Sequence, residues 1–280
     1  MLLIDGDVLV YECGWGVQTK KHHIKFKGQS LTFDWQDLKD FAKANGLKLS
    51  GKNAIERTTT EVLGTEEDAI NAVKGRLGWI MKQAGQTSRR IFLSGSGNFR
   101  EEIATLQVYK GNREDKPKPH HYSTIKEWFL EEGGAELITG MEADDALAIA
   151  QTEANGGDVI CSIDKDLMMI PGKHYNWGKG LKFRVTPDEG DAWFWRQMIS
   201  GDRADHIPGI KGMADAKAKK ELEGVPMEHR PRRVQRLYKK QYGKSWRDAM
   251  TEVGQLLWMC RTREQALDPE SRWSPSWVGL

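Results

Sequence analysis

Eight carboxylates carry the chemistry that can be read from this sequence: Asp5, Glu142, Asp144, Asp145, Asp164, Asp166, Asp202 and Asp205. Asp5 ends the apolar run LLI (2–4). Glu142 follows ELI (136–138) and, with Asp144 and Asp145, opens a helical pattern, while Asp164 and Asp166 follow VICSI (159–163) and the last two lie in SGDRADHIPG. Acids in a helix's first turn gain a few tenths to ~1 kcal/mol from its dipole, so capping alone would explain the group at 142–145. It leaves the others unexplained. If the short apolar runs are parallel strands, their carboxyl ends are where an open α/β sheet binds ligands, and the acids then face one pocket. Two such charges ~5 Å apart repel by about 3 kcal/mol at an effective dielectric near 20, so the group calls for cations. All-oxygen ligand sets suit Mg²⁺ or Mn²⁺. Two such ions about 4 Å apart can activate a water and stabilise the leaving oxygen of a phosphodiester displacement. Asp7, in the first loop, fits either a ligand or a structural part.

Basic residues complement these acids in two places. In VYKGNREDKPKPHH (108–121), Lys110 and Arg113 are spaced to reach one phosphate or two adjacent ones, although a solvated, proline-stiffened loop reads equally well. In IPGIKGMADAKAKKEL, a turn holding Gly209, Lys211 and Gly212 runs into a helix carrying Lys217, Lys219 and Lys220. Glycines let backbone N–H groups approach a phosphate, and a helix N-terminus adds a favourable dipole. Such a hairpin grips duplex without reading its bases; the alternative is a plain helix–turn–helix packing unit. The net charge of only +2 conceals an asymmetry, since residues 206–247 hold twelve Lys/Arg against four Asp/Glu, a local +8 that leaves −6 elsewhere. This suits a protein that grips nucleic acid in one place and holds cations in another.

These residues must be positioned by a chain of 280 residues, enough for one large domain or two small ones. Alternation of the short strands with helical patterns at about 66–84, 123–132, 143–154 and 187–200 predicts an α/β fold with a largely parallel sheet. In the third helix Ala143, Ala146, Leu147, Ala150 and Ala154 share a face. Residues 20–63 read as an insertion: a hairpin at HIKFKGQSLTF, a short helix at DWQDLKDFAKA, then a Thr/Lys/Gly-rich loop. Late tryptophans (Trp246, Trp258, Trp273, Trp277) predict packing between C-terminal helices. Cys13, Cys161 and Cys260 are odd in number and outside any C-x-x-C pattern, which predicts free packing thiols in a reducing cytosol. No apolar run nears 18 residues and no signal-peptide pattern is present, so no membrane partner is expected.

Taken in order, LLIDGD, YKGNR, GMEADDALA, SIDKDL and GDRADHIPGIKG resemble the 5′-nuclease superfamily of flap endonucleases and 5′-to-3′ exonucleases, most closely its bacteriophage members. The resemblance spans about residues 1–222 without the 20–63 insertion. It implies a PIN-like α/β domain over 1–200, with a central mostly parallel sheet flanked by helices and a short arch at about 110–127. A helix–hairpin–helix and C-terminal helical region would follow over 201–280. It further implies two Mg²⁺ or Mn²⁺ ions and hydrolysis of DNA, or of RNA–DNA hybrids, at 5′ ends, flaps or nicks. The setting would be phage replication or recombination, in a monomer of the host bacterial cytoplasm. By motif, the family's metal acids fall on the eight carboxylates above, and its arch-base pair falls on Lys110 and Arg113. Two departures stand out: Ser94 replaces an aspartate after IFL (91–93), and Ala214 replaces a hairpin glycine. One rival is a haloacid-dehalogenase-type phosphatase built on Asp5, Asp7, Ser94 and GDRAD, which gives the acids at 142–145 no role. A compact PIN-type ribonuclease would not need residues 206–247. A DNA-binding module with an inactive pocket is the non-enzymatic rival.

Overall fold

The structure, a computed structural model, describes residues 1–113 and 116–275. Its strands, numbered in chain order, are β1 Leu2–Asp5, β2 Gln18–Phe26, β3 Gln29–Phe33, β4 Arg57–Leu63, β5 Arg89–Ser94, β6 Ala135–Ile138, β7 Val159–Cys161, β8 Gly172–Asn176 and β9 Leu181–Val185. The helices are α1 Gly6–Gly16, α2 Trp35–Ala44, α3 Glu66–Ala84, α4 Phe99–Ile103, α5 Tyr122–Glu131, α6 Ala143–Glu153, α7 Pro187–Ser200, α8 Asp215–Leu222, α9 Arg230–Tyr242, α10 Trp246–Leu257 and α11 Glu264–Leu267. The chain divides into two compact units, one of Met1–Val8, Ile80–Pro117 and Leu130–Leu280, the other of Leu9–Trp79 and Lys118–Phe129.

The first unit is built on a six-stranded sheet of order β6-β5-β1-β7-β8-β9, parallel except for the last pair. Leu2, Leu3 and Ile4 of β1 are fully buried, as expected of an apolar run covered on both sheet faces. From β1 the chain reaches β5 on one side and later β7 on the other, so the strand order reverses beside β1. That switch point leaves a crevice at the carboxyl ends. Strand β7 stops at Cys161, short of the expected residue 163, and the next residue, Ser162, donates its hydroxyl to Asp5. The β8–β9 hairpin was not foreseen from sequence.

The small face of α6 (Ala143, Ala146, Leu147, Ala150) is buried in the same core as Phe92 and Ile160 of the sheet. Helices α7 to α10 extend that core through Phe194, Met198, Ala218, Val234, Tyr238, Met250 and Val253. Trp258 and Trp273 each pack edge-on against Phe194 at 5.1 Å, and Trp246 is buried, so these tryptophans are packing residues. Trp277 lies outside the described residues. All three cysteines are buried and free. Of the expected arch, Gly111–Arg113 forms one 3-10 turn and helix resumes with α5, while positions 114 and 115 lie outside the described residues.

In the second unit the insertion forms a three-stranded antiparallel sheet, β3-β2-β4. Lys27 and Gly28 both take positive φ (51° and 81°), the geometry of a two-residue type I′ hairpin turn. The expected hairpin and helix are both present. The segment read as the end of a Thr/Lys/Gly-rich loop is instead strand β4, which pairs with β2 from Gln18↔Leu63 to Ile24↔Arg57. Its Thr and Val residues favour a pleated surface, but all seven positions are exposed, so no alternation of apolar residues announces it. Helix α2 covers one sheet face with buried Leu38 and Ala42, and Phe41 lies 5.3 and 4.8 Å from the rings of Phe26 and Phe33.

Candidate metal and phosphate site

The sheet delivers Asp5 to the crevice from the last position of β1. Its carboxylate accepts hydrogen bonds from Ser162 Oγ (2.6 Å) and Val8 N (3.1 Å). Close packing fixes its neighbour, since a Cβ on Gly6 would lie 2.6 Å from Phe92 O. Burial pushes the Asp5 carboxyl up to about 7, with the charges of Asp7 and Asp164 adding to the rise. Asp144, on the first turn of α6, is pushed well above the usual carboxylate range by burial and then by Asp5, Asp164 and Glu142. No described residue donates a hydrogen bond to it. Asp164 accepts from Asp166 N (2.8 Å) and Asp166 from Gln197 Nε2 (2.7 Å); burial, then Asp164 and Asp202, raise Asp166 to about 8. Buried Asp202 caps its own loop by accepting from Ala204 N (2.6 Å).

Crowded, desolvated acids of one sign are the condition a hard dication relieves. The donor set, all oxygen and short of hydrogen-bond donors at Asp144, therefore fits Mg²⁺ or Mn²⁺. Among the described residues no three His, Cys, Asp or Glu close into a ready-made cage as the side chains stand. That is compatible with ions that keep several waters and take further oxygens from a phosphate.

Asp145 departs from the expected ligand role. It is fully buried, and Arg100 grips it bidentately (Nη1–Oδ2 2.6 Å, Nη2–Oδ1 2.9 Å). Cys260 N (2.9 Å) and Glu142 N (3.2 Å) take up its remaining acceptor capacity. Burial alone would raise this carboxyl, but Arg100 and the backbone donors hold it below its ordinary value. Arg100 also donates to Leu256 O (2.9 Å) and Trp258 O (2.7 Å), so the pair ties the start of α6 to the chain that leaves α10. Nothing in NFREEIATL singled out Arg100 as a partner for an acid 45 residues on.

Lys110 and Arg113, from the loop before α5, pair with two of these acids. The Lys110 ammonium bonds Glu142 and lies 3.8 Å from Asp205, and the Arg113 guanidinium pairs with Asp205. Burial opposes the charge on Lys110, but Glu142 and Asp205 outweigh it and raise its pKa. Lys110 has φ 55°, an unusual conformation for a residue with a Cβ and one that collects at functional sites. Its N–H donates to Asp205 O (2.9 Å), and Arg113 Nε donates to Ala204 O (2.9 Å), so this loop docks on GDRAD. Sequence reading missed Tyr109, whose hydroxyl lies 3.1 Å from both Glu142 and Asp205, and Asn98, which donates to Glu142 (3.0 Å).

Asp7 and Ser94 are both committed elsewhere. Ser94 N donates to both Asp7 oxygens (3.2 and 3.1 Å), and Ser94 Oγ accepts from Ala143 N (2.9 Å), which makes Ser94 an anchor for α6. A dehalogenase-type phosphatase needs these two groups directed at substrate; here each serves the backbone.

Between α7 and α8, Asp202 and Ile207 exchange backbone hydrogen bonds of 3.0 and 2.7 Å. Gly209 is required by packing, because a Cβ there would overlap the Ser200 carbonyl carbon. Gly212 (φ 77°) has open space around it, and Ala214 is the N-cap of α8. Lys211 N donates to Gln241 (2.6 Å) and Lys217 Nζ to Gly212 O (3.0 Å). The side chains of Lys211, Lys217, Lys219 and Lys220 are all exposed.

A doubly-wound sheet with acids at its carboxyl ends and cations facing them defines a PIN-like α/β protein. No family model matches the chain. Over 217 residues it is 30% identical to the thermostable DNA polymerase I of Thermus aquaticus, covering 70% of this chain and 24% of that protein. Over 148 residues it is 31% identical to the DNA polymerase I of Rhizobium leguminosarum, 48% of this chain and 14% of that one. The chain thus spans about a quarter or less of the curated relatives it matches. Among solved structures it is similar to a T5 protein co-crystallised with metal ions (TM-score 0.57, 13% identity, 95% of this chain and 91% of that one). It is also similar to a mutant T5 5′-exonuclease (TM-score 0.50, 14% identity, 71% and 84%). At 13–14% identity, the likeness to these solved structures is one of fold.

Proposed function

We propose that this chain is a divalent-metal-dependent 5′-nuclease that hydrolyses phosphodiester bonds of DNA, and of RNA–DNA hybrids, at 5′ ends, flaps or nicks. The observation that carries this reading is the set of desolvated acids at the ends of β1 and β7 and at the start of α6, faced by Lys110 and Arg113. Asp5, Asp144, Asp164, Asp166 and Asp202, with Glu142 and Asp205, would hold two Mg²⁺ or Mn²⁺ ions. Such ions supply the acidity that makes water a nucleophile near neutral pH and the charge that offsets a leaving oxygen.

The chain's own residues do the positioning. Lys110 and Arg113, already held over the acids, exchange carboxylate oxygens for the non-bridging oxygens of the scissile phosphate, a geometry suited to charge-assisted hydrogen bonds. Tyr109 and Asn98 hold Glu142 while Lys110 changes partner. Asp145 serves as a positioning acid, because its oxygens are committed to Arg100 and the backbone. The exposed lysines after Gly209, with basic α9, would anchor duplex as a helix–hairpin–helix element beyond a catalytic part that ends near residue 200. No described helix is long and apolar enough to cross a membrane, and a monomer in the host bacterial cytoplasm, serving phage replication or recombination, completes the proposal.

The test is cleavage of a blunt duplex, a 5′ flap and a single strand, each labelled at either end, with Mg²⁺ or with EDTA. Metal-dependent products that start from the 5′ end are expected. Binding of duplex with no cleavage under Mg²⁺ or Mn²⁺ would make the chain a binding module, and fast turnover of p-nitrophenyl phosphate with no cleavage would make it a phosphatase.

A further inference from the structure

The insertion carries a second surface that the hydrolytic reading does not use. Side chains alternate across a strand, so the face of β3-β2-β4 turned away from α2 is lined along β2 by Thr19, Lys21, His23 and Lys25. Cross-strand pairing places Thr32 and Ser30 of β3 beside His23 and Lys25, and Thr60 and Thr58 of β4 beside Lys21 and His23. The His23 ring spans all three strands, with Nδ1 2.9 Å from Thr32 Oγ1 and Nε2 2.7 Å from Thr60 Oγ1. Lys25, Ser30, Thr32, Thr58 and Thr60 are exposed. The acid at the edge of this face, Asp34, is bound by Lys21 (2.9 Å). The hairpin tip adds Lys27.

The two faces therefore differ in kind. The face under α2 carries the rings of Phe26 and Phe33 against Phe41. The open face carries hydroxyls, an imidazole and ammonium groups over three strands, with no apolar anchor beyond Val62 at one corner. A protein partner would need an apolar centre. Hydroxyl donors and lysines without one are the groups that contact phosphate and sugar oxygens. Lys21 and Lys25 lie four residues apart, ~13 Å along the strand, which spaces them for separate phosphates of one backbone. We infer that this open face of the 18–63 sheet is a nucleic-acid backbone-binding surface, taking the phosphodiester chain of DNA without regard to base sequence. The inference goes beyond the hydrolytic reading and stands on the sheet alone.

The experiment is fluorescence-anisotropy titration of the full chain with a labelled 30-base-pair duplex and a single strand of equal length, in EDTA, from 50 to 200 mM NaCl. Wild type is compared with Lys21→Gln/Lys25→Gln and with a hairpin control, Lys219→Ala/Lys220→Ala. Neither sheet lysine is among the groups assigned to the metal ions or to the scissile phosphate, so cleavage at saturating substrate should be unchanged in the sheet variant. Every phosphate that a substitution leaves unneutralised should reduce the salt slope by ~0.9 on duplex or ~0.7 on single strand, so the sheet variant should drop by up to twice that and bind several-fold more weakly. A salt slope equal to wild type, with the hairpin control altered, would overturn the inference while leaving the nuclease reading intact. Equal competition by polyglutamate and DNA at the wild-type sheet, abolished together in the variant, would also overturn the assignment to nucleic acid. Far-UV circular dichroism melts guard against misfolding, and a Thr58→Ala/Thr60→Ala variant tests the same face without removing charge.

Discussion

At the scale of single residues, the acids divide into those crowded by other carboxylates and those already paired with a cation, Asp145 with Arg100 being the fully buried case. Asp144 and Asp164 belong to the first kind. Asp164→Ala should lower cleavage by on the order of 10²-fold or more, while Asp144→Asn should also raise the melting temperature in EDTA, since it removes a charge crowded by Asp5, Asp164 and Glu142. Turnover near wild type in both variants would remove the acid pocket from the reaction. Asp145→Ala should behave in the opposite way. Removing one partner of a buried, hydrogen-bonded ion pair typically costs ~3–5 kcal/mol, because Arg100 would be left charged at 3% exposure with two carbonyls as its acceptors among the described residues. Urea unfolding would measure this, and a midpoint equal to wild type would refute the anchoring role. The acids were readable from sequence because strand ends and a helix start placed them. Arg100 and Tyr109 were not, because their contacts join segments 33 to 158 residues apart that no local pattern links.

At the scale of elements, the hairpin between α7 and α8 makes two separable demands on its residues. Gly209 answers to packing, so Gly209→Ala should destabilise the fold, with the backbone of Ser200 and Gly201 in its path. The lysines of α8 answer to solvent, so Lys219→Ala/Lys220→Ala should leave the melting temperature within about 1 °C, as expected for exposed substitutions. The same pair should lower the salt slope of duplex binding by up to ~1.8, read by anisotropy. The contrast also shows which elements the sequence revealed. Strands β1, β5 and β7 and helices α3, α5, α6 and α7 announced themselves because burial on both faces, or on one helical stripe, demands apolar periodicity, whereas edge strand β6 was legible only through its short apolar run. Strand β4 lies at an exposed sheet edge and the β8–β9 pair carries a mixed pattern, so neither left a hydrophobic signature.

At the scale of the whole molecule, the crowding of acids ties stability to pH. Asp5 and Asp166 hold their protons up to about 7 and about 8, against 3.8 for the ordinary carboxyl. A group whose folded pKa is raised contributes stability that is fully present below its unfolded value and is lost as pH rises through the folded one. The EDTA-treated protein should therefore melt at progressively lower temperature as pH rises from about 4 to about 8, each group contributing up to ~1.4 kcal/mol per pH unit between 3.8 and its folded value. Asp145, shifted the other way, would act only below its ordinary value and outside this range. Added Mg²⁺ should flatten the curve by taking over the neutralisation. A pH-independent melt in EDTA would show that the acids are not desolvated as described.

The three cysteines offer a readout of a different sort. Each thiol is buried and pushed up to about 12 by that burial, so in the folded state none is both ionised and accessible to an alkylating reagent. Cys13 belongs to the unit of Leu9–Trp79, Cys161 and Cys260 to the other. Each cysteine is thus a silent reporter that becomes reactive only when its own unit opens. Mass-resolved alkylation over time would consequently act as a pair of independent clocks, one per unit, and would reveal whether the two come apart together or in sequence.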